Sequence, residues 1–153
     1  MLSNNVEIRP MEQRDVSAVM AIENSCFVAP WKESDLLTEL VDNQFANLFV
    51  AELNNEIVGF VDYWHTFDSA TICQIAVNKA FQRQHIGSLL LEEVKKDCYA
   101  KRVRIITLEV RKSNQNAIIF YKKHNFKEEL IKSNYYSNGE DAIYMTYEVN
   151  INA

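Results

Sequence analysis

"FQRQHIGSLLLEE", residues Phe81 to Glu93, decides the fold. A polar turn runs into an amphipathic helix that carries Ile86, Leu89, Leu90, Val94 and Cys98 on one face at helical spacing. The strand "SATICQIAV" precedes it and the β-branched strand "VRIITLEV" follows it. A strand–helix–strand unit of this kind predicts two parallel strands joined by a right-handed crossover.

The rest of the chain reads outward from that unit. "VEIRP" is a short strand stopped by Pro10, and Asp15 is expected to cap a helix bearing Val16, Val19, Met20 and Phe27. "ESDLLTELVDN" is a second, shorter helix after Pro30-Trp31. "NLFVAEL" and "EIVGFVDYWHT" flank Asn54-Asn55, a two-residue hairpin signal. On the far side, "NQNAIIFYKKHN" is a helix capped by Ser113 or Asn114, and "FKEELIKS" with "DAIYMTYEV" closes the chain as two strands. The fold class is therefore α/β (α+β), with one mixed, mostly antiparallel sheet of about seven strands flanked by about four helices. No repeat, low-complexity tract or linker divides it, so one domain over residues 1–153 is expected.

Composition narrows the function. The chain is 48% apolar and 24% charged, the mix of an ordinary globular protein. Its net charge of −5 argues against a general nucleic-acid binder, which needs a basic footprint, and suits a cationic partner or solubility alone. Cys26, Cys73 and Cys98 are widely spread and form no C-x-x-C pair, which points to three reduced, mostly buried thiols in a cytoplasmic protein with neither a disulfide framework nor a zinc site. His65 and His124 lack metal-ligand spacing, so no metal is expected. No apolar run approaches membrane-spanning length.

The chemistry gathers around the central unit. The helix after "QRQHIG" opens with unpaired backbone N–H groups and the positive end of its dipole, which suits a pyrophosphate. Gly87 lets the chain come close, whereas His85 stands where a second glycine is the usual choice. If residue 85 has helical dihedrals, its side chain simply points outward; if it needs positive φ, histidine is among the less penalised non-glycine residues. Either way the cradle works through main-chain N–H groups, and a protonated imidazole would favour phosphate. One strand later, Glu109 interrupts an apolar run near the strand's C-terminal end, the edge where α/β sheets bind ligands. Tyr121 projects from the following helix toward the same edge.

The combination "QIAV…QRQHIGSLLL…LEVRKSNQNAIIFYKKHNF" resembles the acyl-CoA-binding core of the GNAT N-acetyltransferase superfamily. With "APW" at Ala29 to Trp31 and the tail "NYYSNGEDAIYM", nearly the whole chain is similar to the ribosomal-protein alanine N-acetyltransferases of the RimI type. The resemblance implies acetyl-CoA as co-substrate, contacted by the backbone of Ile75, Ala76 and Val77. It implies a pyrophosphate cradle of amides from Arg83, Gln84, His85, Ile86, Gly87 and Ser88, with a further contact at Asn114. It makes Glu109 the proton acceptor and Tyr121 the proton donor, and brings Trp31, Tyr135 and Tyr136 near the acceptor groove. The departure is His85, where the pattern Gln/Arg-x-x-Gly-x-Gly has its first glycine.

The implied reaction is direct transfer to a protein N-terminal α-amine, most closely the alanine of a small-subunit ribosomal protein, by a monomer or weak homodimer. A lysine or small-amine acetyltransferase and a non-catalytic acyl-CoA-binding module are the alternatives. Retention of both Glu109 and Tyr121 favours the enzyme, because a binder has no use for the pair. "YKKH" is most simply the exposed end of an amphipathic helix, with contact of Lys122 and Lys123 to the cofactor's phosphates as the alternative.

Overall fold

The computed structural model describes residues 5–150. Strand β1 (Val6–Pro10) leads through a short 3-10 turn into α1 (Val16–Cys26), and α2 (Glu33–Leu37) runs on as a wider π turn to Asp42. The meander β2 (Ala46–Leu53), β3 (Glu56–Thr66) and β4 (Ser69–Val77) follows, then α3 (Ile86–Ala100), β5 (Ile105–Arg111), α4 (Gln115–Lys123), β6 (Lys127–Lys132) and β7 (Ala142–Glu148). The seven strands form one sheet in the order β1-β2-β3-β4-β5-β7-β6. Only β4 and β5 run parallel. None of the described helices is long and apolar enough to cross a membrane.

Local chemistry accounts for most of these elements. Asn54 and Asn55 both take positive φ, 52° and 68°, as a tight hairpin turn demands, and Leu53 pairs with Glu56 across it. Strand β5 alternates half-buried and buried residues, so Ile106, Leu108 and Val110 face one core while Thr107 and Glu109 face the other side. Two apolar cores flank the sheet. One lies under α3 and α4, the other under α1 and α2. Gly59 is required for the first: a Cβ there would stand 3.0 Å from the Ala76 carbonyl oxygen and 3.2 Å from Leu90 Cδ1, so any side chain would push α3 off the sheet.

Two expectations need correction. Asp15 does not cap α1 through its side chain; its carboxylate reaches back to the Glu12 N–H at 2.8 Å and holds the Arg9 guanidinium at 2.8 and 2.9 Å. In α3 the buried stripe includes Leu91, and Leu89 is only half-buried, because the helix packs over a broad sheet rather than a narrow seam. The thiols are free, yet only Cys98 is fully buried.

One irregularity positions the site. Across β3 and β4, Asp62 faces Gln74 while Tyr63 faces Ile72, so Cys73 is an extra residue. Such a bulge bends its strand and increases the local twist. Pairing of β4 with β5 extends only from Ser69 to Thr71, while β5 continues along β7 as far as Arg111. The two strands part beyond that point, leaving an open edge on β4 and a gap through the sheet.

Candidate active site

A cavity of about 480 Å³ occupies this gap. Ile75, Ala76 and Val77 line it from the free edge of β4. Phe120 and Tyr121 close it from α4, and Cys26 and Phe27 reach it from α1, so it opens toward both faces of the sheet. An unpaired strand edge offers alternate N–H and C=O groups to an extended ligand. On this edge the Val77 carbonyl is already taken by the Gln82 side chain at 3.2 Å and the Cys26 thiol at 3.4 Å.

The cradle is built at the start of α3. His85 takes the left-handed conformation, φ 63° and ψ 17°, and Arg83 also has positive φ. His85 therefore occupies a glycine-type position with its ring exposed and making no cap hydrogen bond. A left-handed residue followed by helical Ile86 turns successive amides to one side, a concavity suited to an anion. The first helical bond runs from the Leu89 N–H to the His85 carbonyl at 3.1 Å, so the amides of Ile86, Gly87 and Ser88 have no helical acceptor. Gly87 needs no special φ. Its missing side chain leaves room, since a Cβ would already touch Phe120 Cζ at 3.4 Å and Val77 Cγ2 at 3.8 Å. Asn114 lines the same cavity and caps α4, its Oδ1 accepting from the Ala117 N–H at 3.2 Å.

Tyr121 is buried against Phe120 and Phe126, with ring centroids 5.3 and 5.7 Å away. Its hydroxyl hydrogen-bonds to none of the described residues, although it lies at the cavity wall. Burial, and after it the neighbouring Tyr136, pushes this phenol well above its ordinary range, so it keeps its proton at neutral pH.

Glu109 stands on the opposite face of β5 and does not line the cavity. Its side chain is 18% exposed, and Oε2 accepts a 2.6 Å hydrogen bond from Lys132 Nζ. That pairing raises the Lys132 ammonium's affinity for its proton. Oε1 carries no hydrogen bond from the described residues. Lys132 Nζ lies 5.4 Å from the ring of Tyr135, which is 49% exposed and packs edge-on against Tyr136 with ring centroids 5.0 Å apart. Burial pushes Tyr136 up to about 12 against the lowering pull of Arg111, and Arg111 lies 4.0 Å over its ring.

The structure thus gathers ten of the residues read from the sequence around one cavity and leaves five outside its walls: Gln84, Glu109, Trp31, Tyr135 and Tyr136. Gln84 turns its amide oxygen into the protein, and the Trp31 backbone N–H donates to Glu23 Oε2 at 2.8 Å. Lys123 does line the cavity, whereas Lys122 pairs with Glu128 at 2.5 Å. Sequence reading missed Cys26, Phe27 and Phe120, which reach one cavity from opposite faces of the sheet, and Lys132, whose pairing with Glu109 spans the β5-β7-β6 ladder. The motif's leading Gln82 was the one legible signal passed over.

A buried acidic cluster beside the gap had no sequence signal either. Glu39, Asp62 and Cys73 bring their possible ligand atoms within 4.8 Å of one another. Both Glu39 oxygens already accept hydrogen bonds, from Asn43 at 2.8 Å and Trp64 at 2.6 Å. Neither oxygen of the fully buried Asp62 meets a donor. Burial, and then Glu39, pushes Asp62 up to about 9, so its stable form is the neutral acid donating to Glu39.

A sheet that splays at one parallel pair, with an amide cradle on the intervening helix, defines a class of acyl-group transferases. The model of the GNAT acetyltransferase family matches residues 16–126, and the chain belongs to that family. It is 33% identical over 150 residues to the putative [ribosomal protein bS18]-alanine N-acetyltransferase of Bacillus subtilis (strain 168), covering 97% of this chain and 99% of that protein. The crystal structure of the ribosomal-protein alanine N-acetyltransferase from Escherichia coli superposes with a TM-score of 0.88 at 31% identity, over 97% of this chain and 96% of that one. Ard1 from Thermoplasma volcanium superposes with a TM-score of 0.89 at 26% identity, over 95% and 99% of the two chains. The protein is accordingly an acetyltransferase with the GNAT fold.

Proposed function

We propose that the protein transfers the acetyl group of acetyl-CoA to the α-amine of a protein N-terminus, an alanine of a ribosomal protein by likeness to its relatives. The observation that carries this reading is the cavity itself. Its walls carry both the amide cradle at the start of α3 and the buried phenol of Tyr121, which has no hydrogen-bond partner among the described residues, while the Glu109 carboxylate stands outside those walls on the other face of β5. The residues fit acetyl-CoA: the amides of Ile86, Gly87 and Ser88 suit its pyrophosphate, and the open edge of β4 suits an extended amide-bearing chain.

Bound acetyl-CoA supplies the thioester. Glu109 accepts the amine proton on Oε1, directly or through water, while Lys132 holds Oε2. Free N–H groups on the edge of β4 stabilise the oxyanion. Tyr121 gives its hydroxyl proton to the departing sulfur. An ordinary phenol titrates about 1.5 units above an ordinary thiol, a mismatch of about 2 kcal/mol. Burial raises the Tyr121 phenol further, and the same apolar wall raises a thiolate formed beside it, so the mismatch does not grow by the full rise of the phenol.

The acceptor class follows from amine chemistry. At pH 7 about a tenth of α-amino groups are neutral, against about four in ten thousand lysine side chains. A lone carboxylate is a weak base and suits the first. A net charge of −5 favours an N-terminus followed by basic residues. To test this, thiol release from acetyl-CoA is followed with peptides that start with free alanine and carry downstream arginines. Release should depend on the peptide and stop when its N-terminus is blocked; release that ignores the block refutes the N-terminal reading.

A further inference from the structure

Ser88 follows Gly87 on the first turn of α3 and lines the cavity. Its Oγ lies 2.9 Å from Nε2 of His124, the residue that ends α4. The other ring nitrogen of His124 faces Glu92 Oε2 at 3.4 Å. The ring packs on Phe120 at 4.9 Å, and Phe120 in turn closes over Gly87. Serine, imidazole and carboxylate thus stand in a row. Such a row activates a nucleophile in hydrolases. Here the serine lies among the free amides of the cradle, so what it meets is an anion.

The row fixes where protons go. Glu92 favours a proton on Nδ1, which leaves Nε2 of the neutral ring as an acceptor. Ser88 then donates its only proton to the ring and turns lone pairs toward the cavity, the wrong polarity for a phosphate. If the ring takes a proton from solvent, Nε2–H donates to Ser88 and the hydroxyl proton is released toward the cavity. The groups facing His124 are Glu92 and Lys95 from α3 and Lys123 from its own helix; Lys95 also donates to the His124 carbonyl at 2.8 Å. Burial first, and then Lys95, holds the imidazole below its ordinary range, so the free protein carries it neutral at pH 7.

We propose that Ser88 and His124 form a proton-switched phosphate subsite, in which the imidazole takes up one proton as a cofactor phosphate arrives and Ser88 turns its hydroxyl from the ring to that phosphate. The inference rests on the reading of the cavity as the CoA site. It makes CoA bind more tightly as pH falls, by at most about tenfold per unit between the free and bound titration points of His124.

The test is a proton NMR titration of the three histidines, assigned through His65→Gln, His85→Gln and His124→Gln, with and without saturating CoA. His124 should titrate about one unit or more higher in the complex. In Ser88→Ala, still saturated with CoA, most of that rise should vanish. An unchanged His124 titration in a saturated complex overturns the subsite, and so does a rise undiminished in Ser88→Ala, which assigns it to charge through space. Failure of the parent to bind CoA at any pH instead refutes the reading of the cavity, and the subsite falls with it.

Discussion

Tyr121 combines burial, a raised proton affinity and, at a cavity wall, a hydroxyl with no hydrogen-bond partner among the described residues; packing alone does not require the last. Removal of that oxygen should cost little in folding or cofactor binding and much in turnover. Tyr121→Phe is expected to lower kcat by more than about tenfold, over about 1.4 kcal/mol, with CoA affinity by calorimetry within twofold of the parent. A smaller loss of kcat would reduce the residue to packing. His85 raises the opposite expectation. It already holds the left-handed conformation that glycine adopts freely, and its ring is exposed. His85→Gly should relieve backbone strain of about 1 kcal/mol while adding similar freedom to the unfolded chain. CoA affinity should therefore stay within about threefold and the melting temperature should barely move.

At the scale of elements, the open site depends on the bulge at Cys73 and on what packs beside it. Asp62 is neutral in the fold up to about pH 9 and ionises near 3.8 in the unfolded chain. The folded state thus binds the extra proton between those values, so stability falls as pH rises through this window and levels off above it. Asp62→Asn keeps the shape, offers Glu39 an N–H donor, and has no proton to lose. Thermal melts should show the variant more stable than the parent at neutral pH, with a gap that widens toward pH 9 and is small near pH 4. A gap independent of pH would contradict the neutral carboxyl. The start of α3 carries the matching functional expectation. Gly87→Val adds methyls where a Cβ already touches Phe120 and Val77, so it should raise the acetyl-CoA KM about tenfold or more; unchanged CoA binding by calorimetry would remove the cradle from this loop.

Across the whole molecule, what the sequence made legible was local. Two-residue alternation exposed the β5 strand and put Glu109 on the face opposite Leu108, and the Asn54-Asn55 pair announced its hairpin. The cradle was legible through Gly87, with His85 left between two conformations that only the backbone resolves. Periodicity reports the face of a residue, not which distant strand it meets. Hence the insertion of β7 between β5 and β6, the extra residue in β4, and the Lys132–Glu109 pair stayed hidden, since each depends on pairings between separate elements. The fully buried Asp62 was hidden for the same reason. An aspartate among apolar strand residues looks solvent-facing until a second layer covers it.

We propose that this geometry acetylates an α-amine. One peptide with a free N-terminal alanine, downstream arginines and an internal lysine offers both acceptors to the same enzyme at pH 7. Fragmentation mass spectrometry of the initial product locates the acetyl group. The α-nitrogen should be favoured at least about a hundredfold, in line with the neutral fractions of the two amines. Glu109→Gln should slow the reaction and move its optimum upward in pH, because the amine must then lose its proton unaided. Equal labelling of the lysine would contradict the account.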